Sequence, residues 1–153
     1  MVSSYYFEDF RPGDEFDCGT RFVSRDDILR FANEFDPQPY HTDEDFAAKS
    51  AFGGLIASGL HSTCISLRLA YDALLSKTNN LGSPGWSDLK FLKPLRVGDT
   101  VHLKVRVAEA VPSRSRADRG RVHFIFELFN QAREKIFEAA TISIVQSRGA
   151  AGE

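Results

Sequence analysis

A short turn in the first third of the chain holds two side chains that can both move protons. In Asp36–His41 a carboxylate and an imidazole are joined by a stretch that contains Pro37 and Pro39. Proline fixes its own φ at about −65° and keeps the preceding residue out of the α region, so a helix that reaches Phe35 should end there. An Asp/His pair on a stiff turn suits general acid–base chemistry. The structural alternative is a proline-marked turn with two solvated polar residues.

A second group with chemical potential is Ser58-Gly59, where a long helix is predicted to begin. Ser58 is a good N-cap residue, which makes Gly59 the first helical residue and leaves its N–H without an intrahelical acceptor. The helix dipole adds positive potential, and glycine lets a ligand approach the backbone closely. The pair therefore predicts a donor for a developing oxyanion, with close packing of the glycine as the alternative.

Three helices are predicted in the first half of the chain. Ser24 is a predicted N-cap, followed by two aspartates and by an apolar stripe that ends at Phe35. Thr42 is the predicted N-cap of a second, short helix that ends near Lys49. The third helix runs from Ser58 to about Ser76 and is apolar around more than half of its circumference, so we expect it to be buried.

The second half of the chain changes to the period-2 alternation of β-strands, after a predicted break over 79–85. Early helices and late strands indicate an α+β architecture, an antiparallel sheet packed against one long buried helix. Such a sheet leaves an edge strand free, so we expect dimerisation by sheet extension. The predicted strands, including a weaker early one, are Glu15–Val23, Trp86–Leu92, Thr100–Val111, Arg121–Phe129 and Lys135–Gln146.

Composition sets the broad class of the protein. The chain has 153 residues, 42% of them hydrophobic, which suits one domain over 1–153 with a frayed tail at 149–153. A net charge of −2 predicts no nucleic-acid partner, and no apolar run is long enough to cross a membrane. Two cysteines without metal-ligand spacing, and a start without a signal-peptide pattern, predict a reduced, cytoplasmic protein with neither metal nor cofactor.

The motifs taken together resemble the MaoC-like dehydratases, a family that includes the (R)-specific enoyl-CoA hydratases and has the hotdog fold. The resemblance implies a single hotdog domain with an antiparallel sheet wrapped around one long buried helix, which agrees with the outline drawn from periodicity. It runs from about Ser24 to Gln146 and is carried, in matching order, by Phe31-Ala32, Asp36–His41 with Asp43, Ala47-Ala48, Phe52-Gly53-Gly54, Ser58-Gly59 and Phe91-x-Lys93-Pro94-x-x-Val97-Gly98-Asp99-Thr100.

The resemblance also implies roles for the site residues. Asp36 and His41 become the catalytic pair, and the Gly59 N–H becomes the donor to the thioester oxygen of an acyl-CoA or acyl carrier protein substrate. We expect a hydro-lyase that adds water to a trans-2-enoyl thioester, with His41 as base and Asp36 as acid in hydration. An acid near neutral pH needs a raised pKa. We expect that shift from burial of the carboxyl among neighbouring aromatic side chains, namely Phe31, Phe35 and Tyr40.

Other residues are predicted around this pair. The predicted substrate-binding residues are Tyr40, Phe52, Ser58 and His61. The alternative for His61 is a hydrogen-bonded, partly buried histidine. The arginine-rich loop 113–121 either reaches the phosphates of CoA or is a solvated hairpin. Two further histidines lie in strand patterns and are expected to face outward or across the sheet, namely His102 and His123.

Three features depart from the family pattern. The usual catalytic turn is Asp-x-Asn-Pro-x-His, whereas this chain has Gln38 for the asparagine and the additional Pro37, which marks a subgroup. Ser58 precedes the helix-start glycine where a histidine is common. Leu67 occupies the helix position that commonly carries a serine supporting the aspartate, with Ser62 and Ser66 nearby, which puts the support of Asp36 in question.

Two other functions are compatible with the same fold. An acyl-CoA thioesterase of this fold usually depends on a carboxylate and lacks a paired Asp/His turn. A non-catalytic acyl-CoA-binding module would hold the thioester without turnover, which the missing helix serine would fit. The Asp/His pair favours the hydratase, with a homodimer or higher homo-oligomer as the expected state.

Overall fold

In the computed structural model the described residues are 5–150. They form one strand followed by four α-helices, and then four more strands, with short 3-10 turns between some of them. The helices are α1 (Arg25–Phe35), α2 (Pro39–Thr42), α3 (Glu44–Lys49) and α4 (Gly59–Ala73). The strands are β1 (Glu15–Phe22), β2 (Asn80–Phe91), β3 (Thr100–Pro112), β4 (Arg119–Phe129) and β5 (Lys135–Gln146).

The five strands form one antiparallel sheet in the order β1-β3-β4-β5-β2. Helix α4 packs on one face of this sheet, against β1, β3, β4 and β5. Alternate residues of the central strands point towards the helix and form the core, because side chains along a strand alternate between its two faces. The predicted α+β architecture is confirmed. Fully buried core residues from β3 and β4 are Val101, Leu103, Val105, Val122, Phe124, Phe126 and Leu128.

Helix α1 begins as predicted. The Ser24 hydroxyl accepts the Asp27 N–H at 3.1 Å, and the Asp27 carboxylate accepts the Ser24 N–H at 3.2 Å, which completes a capping box. The helix ends at Phe35, immediately before Asp36 and Pro37, where the sequence placed its end. This termination carries Asp36 out of the helix and towards α4.

The prediction that Thr42 caps the next helix is wrong. Residues Pro39–Thr42 form a single helical turn, α2, because proline is tolerated at the first helical position, where its missing N–H has no acceptor to lose. Asp43 caps α3 instead, since its side chain accepts the Phe46 N–H at 3.0 Å. His41 therefore lies within the helical turn α2 rather than in the loop before a helix.

The prediction that α4 is a buried helix is confirmed for its inner face and wrong for its outer face. Its outer face exposes Leu60, Leu67 and Tyr71, at 51%, 43% and 52% of their surface. Its inner face combines apolar and polar side chains, and the buried Ser66 hydroxyl donates to the Ser62 carbonyl one turn earlier at 2.9 Å. Because serine can satisfy its hydroxyl inside its own helix, hydrophobicity alone did not identify the buried face.

Strand β2 begins earlier than predicted. The segment 79–85, predicted as a break, forms most of the first half of the strand, which starts at Asn80. Its pairing with β5 shifts register around Gly82 and Gly85, whose φ values of 140° and 153° accommodate the irregular backbone. The predicted frayed tail at 149–153 begins inside a 3-10 turn, Arg148–Ala150, and its last three residues lie outside the described ones.

Candidate active site

The ends of α1 and α2 bring the two titratable side chains of the turn together. Asp36 caps the end of α1, and its N–H donates to the Ala32 carbonyl at 2.8 Å. The Nε2 atom of His41 lies 3.4 Å from Oδ2 of Asp36. The imidazole is buried, whereas the carboxylate retains 19% of its side-chain surface. A water-sized reactant therefore reaches the pair from the Asp36 side.

A backbone carbonyl fixes the tautomer of His41, so that the ring nitrogen facing Asp36 carries a lone pair rather than a proton. Nδ1 of His41 lies 2.7 Å from the carbonyl oxygen of Ile56. Because a carbonyl only accepts hydrogen bonds, Nδ1 carries the proton, and in the neutral ring Nε2 is the acceptor. The Ile56 N–H in turn donates to the Tyr40 carbonyl at 3.2 Å, which holds the segment before α4 against α2.

The carboxylate of Asp36 accepts a hydrogen bond on each of its oxygens. Gln38 Nε2 donates to Oδ1 at 2.7 Å, and Ser58 Oγ donates to Oδ2 at 2.7 Å. These two bonds hold the pKa of Asp36 below its ordinary value, and the neighbouring His41 lowers it further. The predicted raised pKa is wrong, since Phe35 is 63% exposed and burial is too slight to outweigh the hydrogen bonds.

The N-terminus of α4 meets the same carboxylate. Ser58 is buried, and its hydroxyl accepts the Leu60 N–H at 3.2 Å as the predicted N-cap. Gly59 is the first residue of the helix, so its N–H has no acceptor within the helix. A side chain at Gly59 would lie 2.5 Å from the ring of Phe91. A side chain here would therefore have to displace the Phe91 ring, which favours close packing, the structural alternative considered for the glycine.

A cavity of about 750 Å³ opens onto these groups. Most of its walls are apolar, and the polar groups converge at one side, an arrangement typical of small-molecule sites. Six of the seven predicted site residues line it, namely Asp36, Tyr40, His41, Phe52, Ser58 and Gly59. Gln38, Ile56 and Phe91 also line the cavity.

The structure does not bring His61, the seventh predicted residue, to this cavity. His61 lines a separate cleft of about 280 Å³ with Arg21, Asp27 and Arg30. Its ring stacks on Phe31, with centroids 4.5 Å apart and planes 4° from parallel. Burial lowers the pKa of His61 to about 4, so its imidazole is neutral at physiological pH. Nδ1 has no hydrogen-bond partner in the described part of the chain.

The arginine-rich loop lies at the far end of the sheet from the Asp/His pair. Ile136, near the start of β5, lines the cavity, whereas the loop adjoins Gly120, which pairs with Val145 near the end of β5. Nine residues of strand separate those two positions by about 30 Å. Within one chain the loop is thus a hairpin remote from the pair, and Arg119 forms a two-pronged ion pair with Asp118 at 2.9 Å.

The other two histidines belong to the sheet surface. His102 Nε2 lies 2.7 Å from Asp17 Oδ1; the Asp17 side chain is exposed and that of His102 is partly exposed. His123 faces Glu109 across two strands at 4.0 Å. Both agree with the prediction that they face outward or across the sheet.

Two residues of the site were not singled out as functional by the sequence. Gln38 appeared only as a departure from the family turn, although a polar side chain between two prolines signals a constrained position. Ile56 contributes only its backbone carbonyl to His41, which no side-chain pattern reveals. Within residues 5–150, no group of three or more His, Cys, Asp or Glu side chains is placed to hold a metal ion. No helix in the same range is long and apolar enough to span a membrane.

Comparison with known proteins identifies the class to which this fold and site belong. The MaoC like domain family matches residues 9–123, and the chain belongs to this family of MaoC-like dehydratases. The single domain, with its antiparallel sheet and long helix, is a hotdog domain.

Three relatives are closely similar. A 3-hydroxybutyryl-CoA dehydratase of Methylorubrum extorquens is 37% identical over 117 residues, which cover 73% of this chain and 69% of the relative. An (R)-specific enoyl-CoA hydratase of Rhodospirillum rubrum is 30% identical over 116 residues, 72% of this chain and 74% of the relative. The crystal structure of a MaoC-like dehydratase from Rhodospirillum rubrum is 36% identical, with a TM-score of 0.85 and coverage of 95% and 99%. Membership in this family indicates a hydratase or dehydratase.

Proposed function

We propose that this protein adds water reversibly to a trans-2-enoyl-CoA and yields the (R)-3-hydroxyacyl-CoA. The observation that carries the proposal is the Asp36/His41 pair, 3.4 Å apart at the polar side of an otherwise apolar cavity. The relatives named as a dehydratase and a hydratase support the same reaction in its two directions.

The pair is arranged to orient one water molecule. Asp36 is ionised and His41 presents the lone pair of Nε2, so both groups accept hydrogen bonds. A water that donates one hydrogen to each keeps its oxygen lone pairs free, and these point into the cavity. Its oxygen is thereby directed at the β-carbon of an enoyl thioester bound there.

The proton that leaves this water is also the proton that the substrate receives. His41 Nε2 takes it as the water oxygen bonds to the β-carbon, and the carbon–carbon double bond shifts its electrons towards the thioester carbonyl. The α-carbon of the resulting enolate then takes that proton back from the pair, which restores the resting state. Asp36 stabilises the imidazolium in between. This replaces the predicted role of Asp36 as a protonated acid, because its lowered pKa keeps it ionised.

The negative charge of the enolate needs a donor, for which we propose the backbone N–H of Gly59. It lies at the N-terminus of a helix of 15 residues, where the dipole favours negative charge. Tyr40, Phe52 and Ser58 also line the cavity and are proposed to border the substrate there. The thioester carrier is CoA or acyl carrier protein. Both cysteines are free of disulfide bonds, which fits a cytoplasmic setting.

We further propose that the working unit is a homodimer. Strand β2 is an edge strand, and its side chains are almost all exposed, with Leu89 and Phe91 among them. The exposed stripe Leu60, Leu67 and Tyr71 of α4 adds an apolar surface. Pairing of two β2 strands about a two-fold axis would extend the sheet and cover this surface.

The test follows loss of the conjugated enoyl-thioester absorbance with crotonyl-CoA and with a longer enoyl-CoA. We expect Asp36→Asn and His41→Ala each to lower kcat by about 100-fold or more. The matched controls are Asp17→Asn and His102→Ala, because these residues form a similar Asp/His pair on the sheet surface.

Each alternative result has a definite meaning. Turnover within a few-fold of wild type in either site variant would refute the catalytic pair. Release of free CoA thiol, without a hydroxyacyl product, would identify a thioesterase. Binding of the thioester without any turnover would identify a binding module.

A further inference from the structure

Gln38 touches both members of the proposed catalytic pair. Its side-chain Nε2 donates to Asp36 Oδ1 at 2.7 Å, while its backbone carbonyl accepts the His41 N–H at 2.8 Å. Within residues 5–150, Gln38 is the residue of this turn that forms hydrogen bonds with both Asp36 and His41. Any displacement of Gln38 therefore changes the position of one partner relative to the other.

The side-chain amide of Gln38 has a fixed orientation. A carboxylate only accepts, so the NH₂ group must face Asp36 and the amide oxygen must face away from it. That oxygen accepts a hydrogen bond from the Tyr40 hydroxyl. The Tyr40 ring is itself packed edge-on against His41, with centroids 4.5 Å apart, and against Phe52 at 5.4 Å. Packing of its ring thus holds Tyr40 in place, and the Tyr40 hydroxyl in turn holds the Gln38 amide by a hydrogen bond.

The backbone of Gln38 is constrained as well. Pro37 and Pro39 flank it, so the residue before each proline is restricted to extended conformations, and Gln38 has φ −65° and ψ 141°. It is the N-cap position of α2, and Thr42 Oγ1 adds a second donor to its carbonyl at 3.3 Å. On this restricted backbone, the side chain of Gln38 is held at its amide end by the hydrogen bonds to Asp36 and Tyr40.

Leu67 cannot supply this support. It lies on the outer face of α4, 43% exposed, and lines a different groove from Asp36. The hydrogen bonds to the carboxylate come instead from Gln38 on the turn and from Ser58 at the helix start. The Ser58 hydroxyl also caps α4, whereas the hydrogen bonds of the Gln38 side chain go to Asp36 and Tyr40.

We infer that Gln38, anchored by the Tyr40 hydroxyl, is the positioning residue that fixes the Asp36 carboxylate against His41. The inference rests on the proposed function for its catalytic consequence, but the arrangement itself can be measured without substrate. Tyr40, predicted to bind substrate, acts on the reaction through Gln38.

The experiment compares wild type with Gln38→Met, Tyr40→Phe and the double variant. Methionine has nearly the length of glutamine without its donor, and phenylalanine keeps the tyrosine ring. Gln146→Met is the matched control, since it makes the same change at the far end of β5. Thermal unfolding establishes that each variant is folded. The titration of the Asp36 carboxyl is followed by carbon NMR, and kcat, KM and the pH profile are measured with crotonyl-CoA.

In Gln38→Met we expect the Asp36 carboxyl to titrate at a higher pH than in wild type. We expect kcat to fall by about 10- to 100-fold with KM changed by less than about threefold, because misplacement of a catalytic group affects the reaction more than binding. The acid limb of the kcat profile should move to higher pH. Tyr40→Phe should shift the Asp36 titration, kcat and the acid limb in the same directions, but by smaller amounts.

The double variant separates positioning from substrate binding. If Tyr40 acts through Gln38, its loss adds little in the Gln38→Met background. A Tyr40→Phe effect that is undiminished in that background, and that appears in KM, would overturn the anchoring role. An unchanged Asp36 titration in Gln38→Met would overturn the positioning role even if wild type turned over no enoyl-CoA. A titration that shifts in a protein without turnover would instead contradict only the proposed function.

Discussion

Ser58 donates its hydroxyl hydrogen to Asp36 at 2.7 Å while the same oxygen accepts the Leu60 N–H at the start of α4. One side chain therefore both caps the helix and holds the carboxylate. Since Gly59 follows directly, the carboxylate and the proposed oxyanion donor are fixed relative to one another through a single residue. Stability and activity are coupled at this position.

We expect Ser58→Ala to lower the free energy of unfolding by about 1–2 kcal/mol, because a helix N-cap is lost. We also expect kcat to fall by about 10-fold, because Asp36 loses one of its two donors. Chemical denaturation and the hydration assay measure the two effects. Ser24→Ala is the control, since it removes the N-cap of α1 without touching the pair. Equal losses of kcat in the two variants would show that the effect is one of general stability.

Gly59→Ala should destabilise the protein by about 1–3 kcal/mol, because its methyl group would lie 2.5 Å from the Phe91 ring. The double variant Gly59→Ala/Phe91→Ala should lose less stability than the two single changes added together, which thermal or chemical unfolding can measure. Additive losses would mean that the two residues are not in contact in solution. Gly54→Ala is a suitable control, since the nearest atom to its added carbon is 3.8 Å away.

The stability of the protein should fall as the pH drops from about 6.5 to 4 because of His61. Its folded pKa of about 4 lies below its ordinary value, so over this range the unfolded chain binds a proton that the folded protein excludes. This loss of stability is absent above pH 6.5 and amounts to about 3 kcal/mol in the free energy of unfolding by pH 4.

His61→Phe should remove this part of the pH dependence and keep the stacking on Phe31. The measurement is the difference in the free energy of unfolding between wild type and His61→Phe at several pH values. Asp27 faces the ring and favours its protonation, whereas Arg21 and Arg30 oppose it. The partly exposed His102 provides the comparison, and His102→Phe should leave the slope attributed to His61 intact. A slope that persists in His61→Phe would contradict the assignment.

Tyr71→Glu should convert a dimer into monomers, because it places a charge in the exposed apolar stripe of α4. Sedimentation velocity measures the change, and the hydration assay shows whether activity depends on the dimer. Arg114→Glu, in the exposed hairpin between β3 and β4, is the charge-changing control. A wild-type protein that is monomeric at micromolar concentration would contradict the proposed homodimer.

Local patterns determined much of the architecture from the sequence. The capping box at Ser24, the helix end at Asp36 and the alternation within β3, β4 and β5 depend on neighbouring residues alone, so the sequence was enough to predict them. The motifs around Asp36, His41 and Gly59 likewise identified the family, and six of the seven predicted site residues line one cavity.

Tertiary structure decided what depends on residues far apart in the chain. The lowered pKa of Asp36 depends in part on Ser58, 22 positions away, and the burial of Asp36 had been overestimated because Phe35 is exposed. The face of α4 that packs on the sheet is not its most hydrophobic one. Leu67 therefore faces outward, and His61 lies in a separate cleft. A pattern along the chain fixes which groups are present, whereas pKa, tautomer and access depend on long-range contacts that only the folded chain creates.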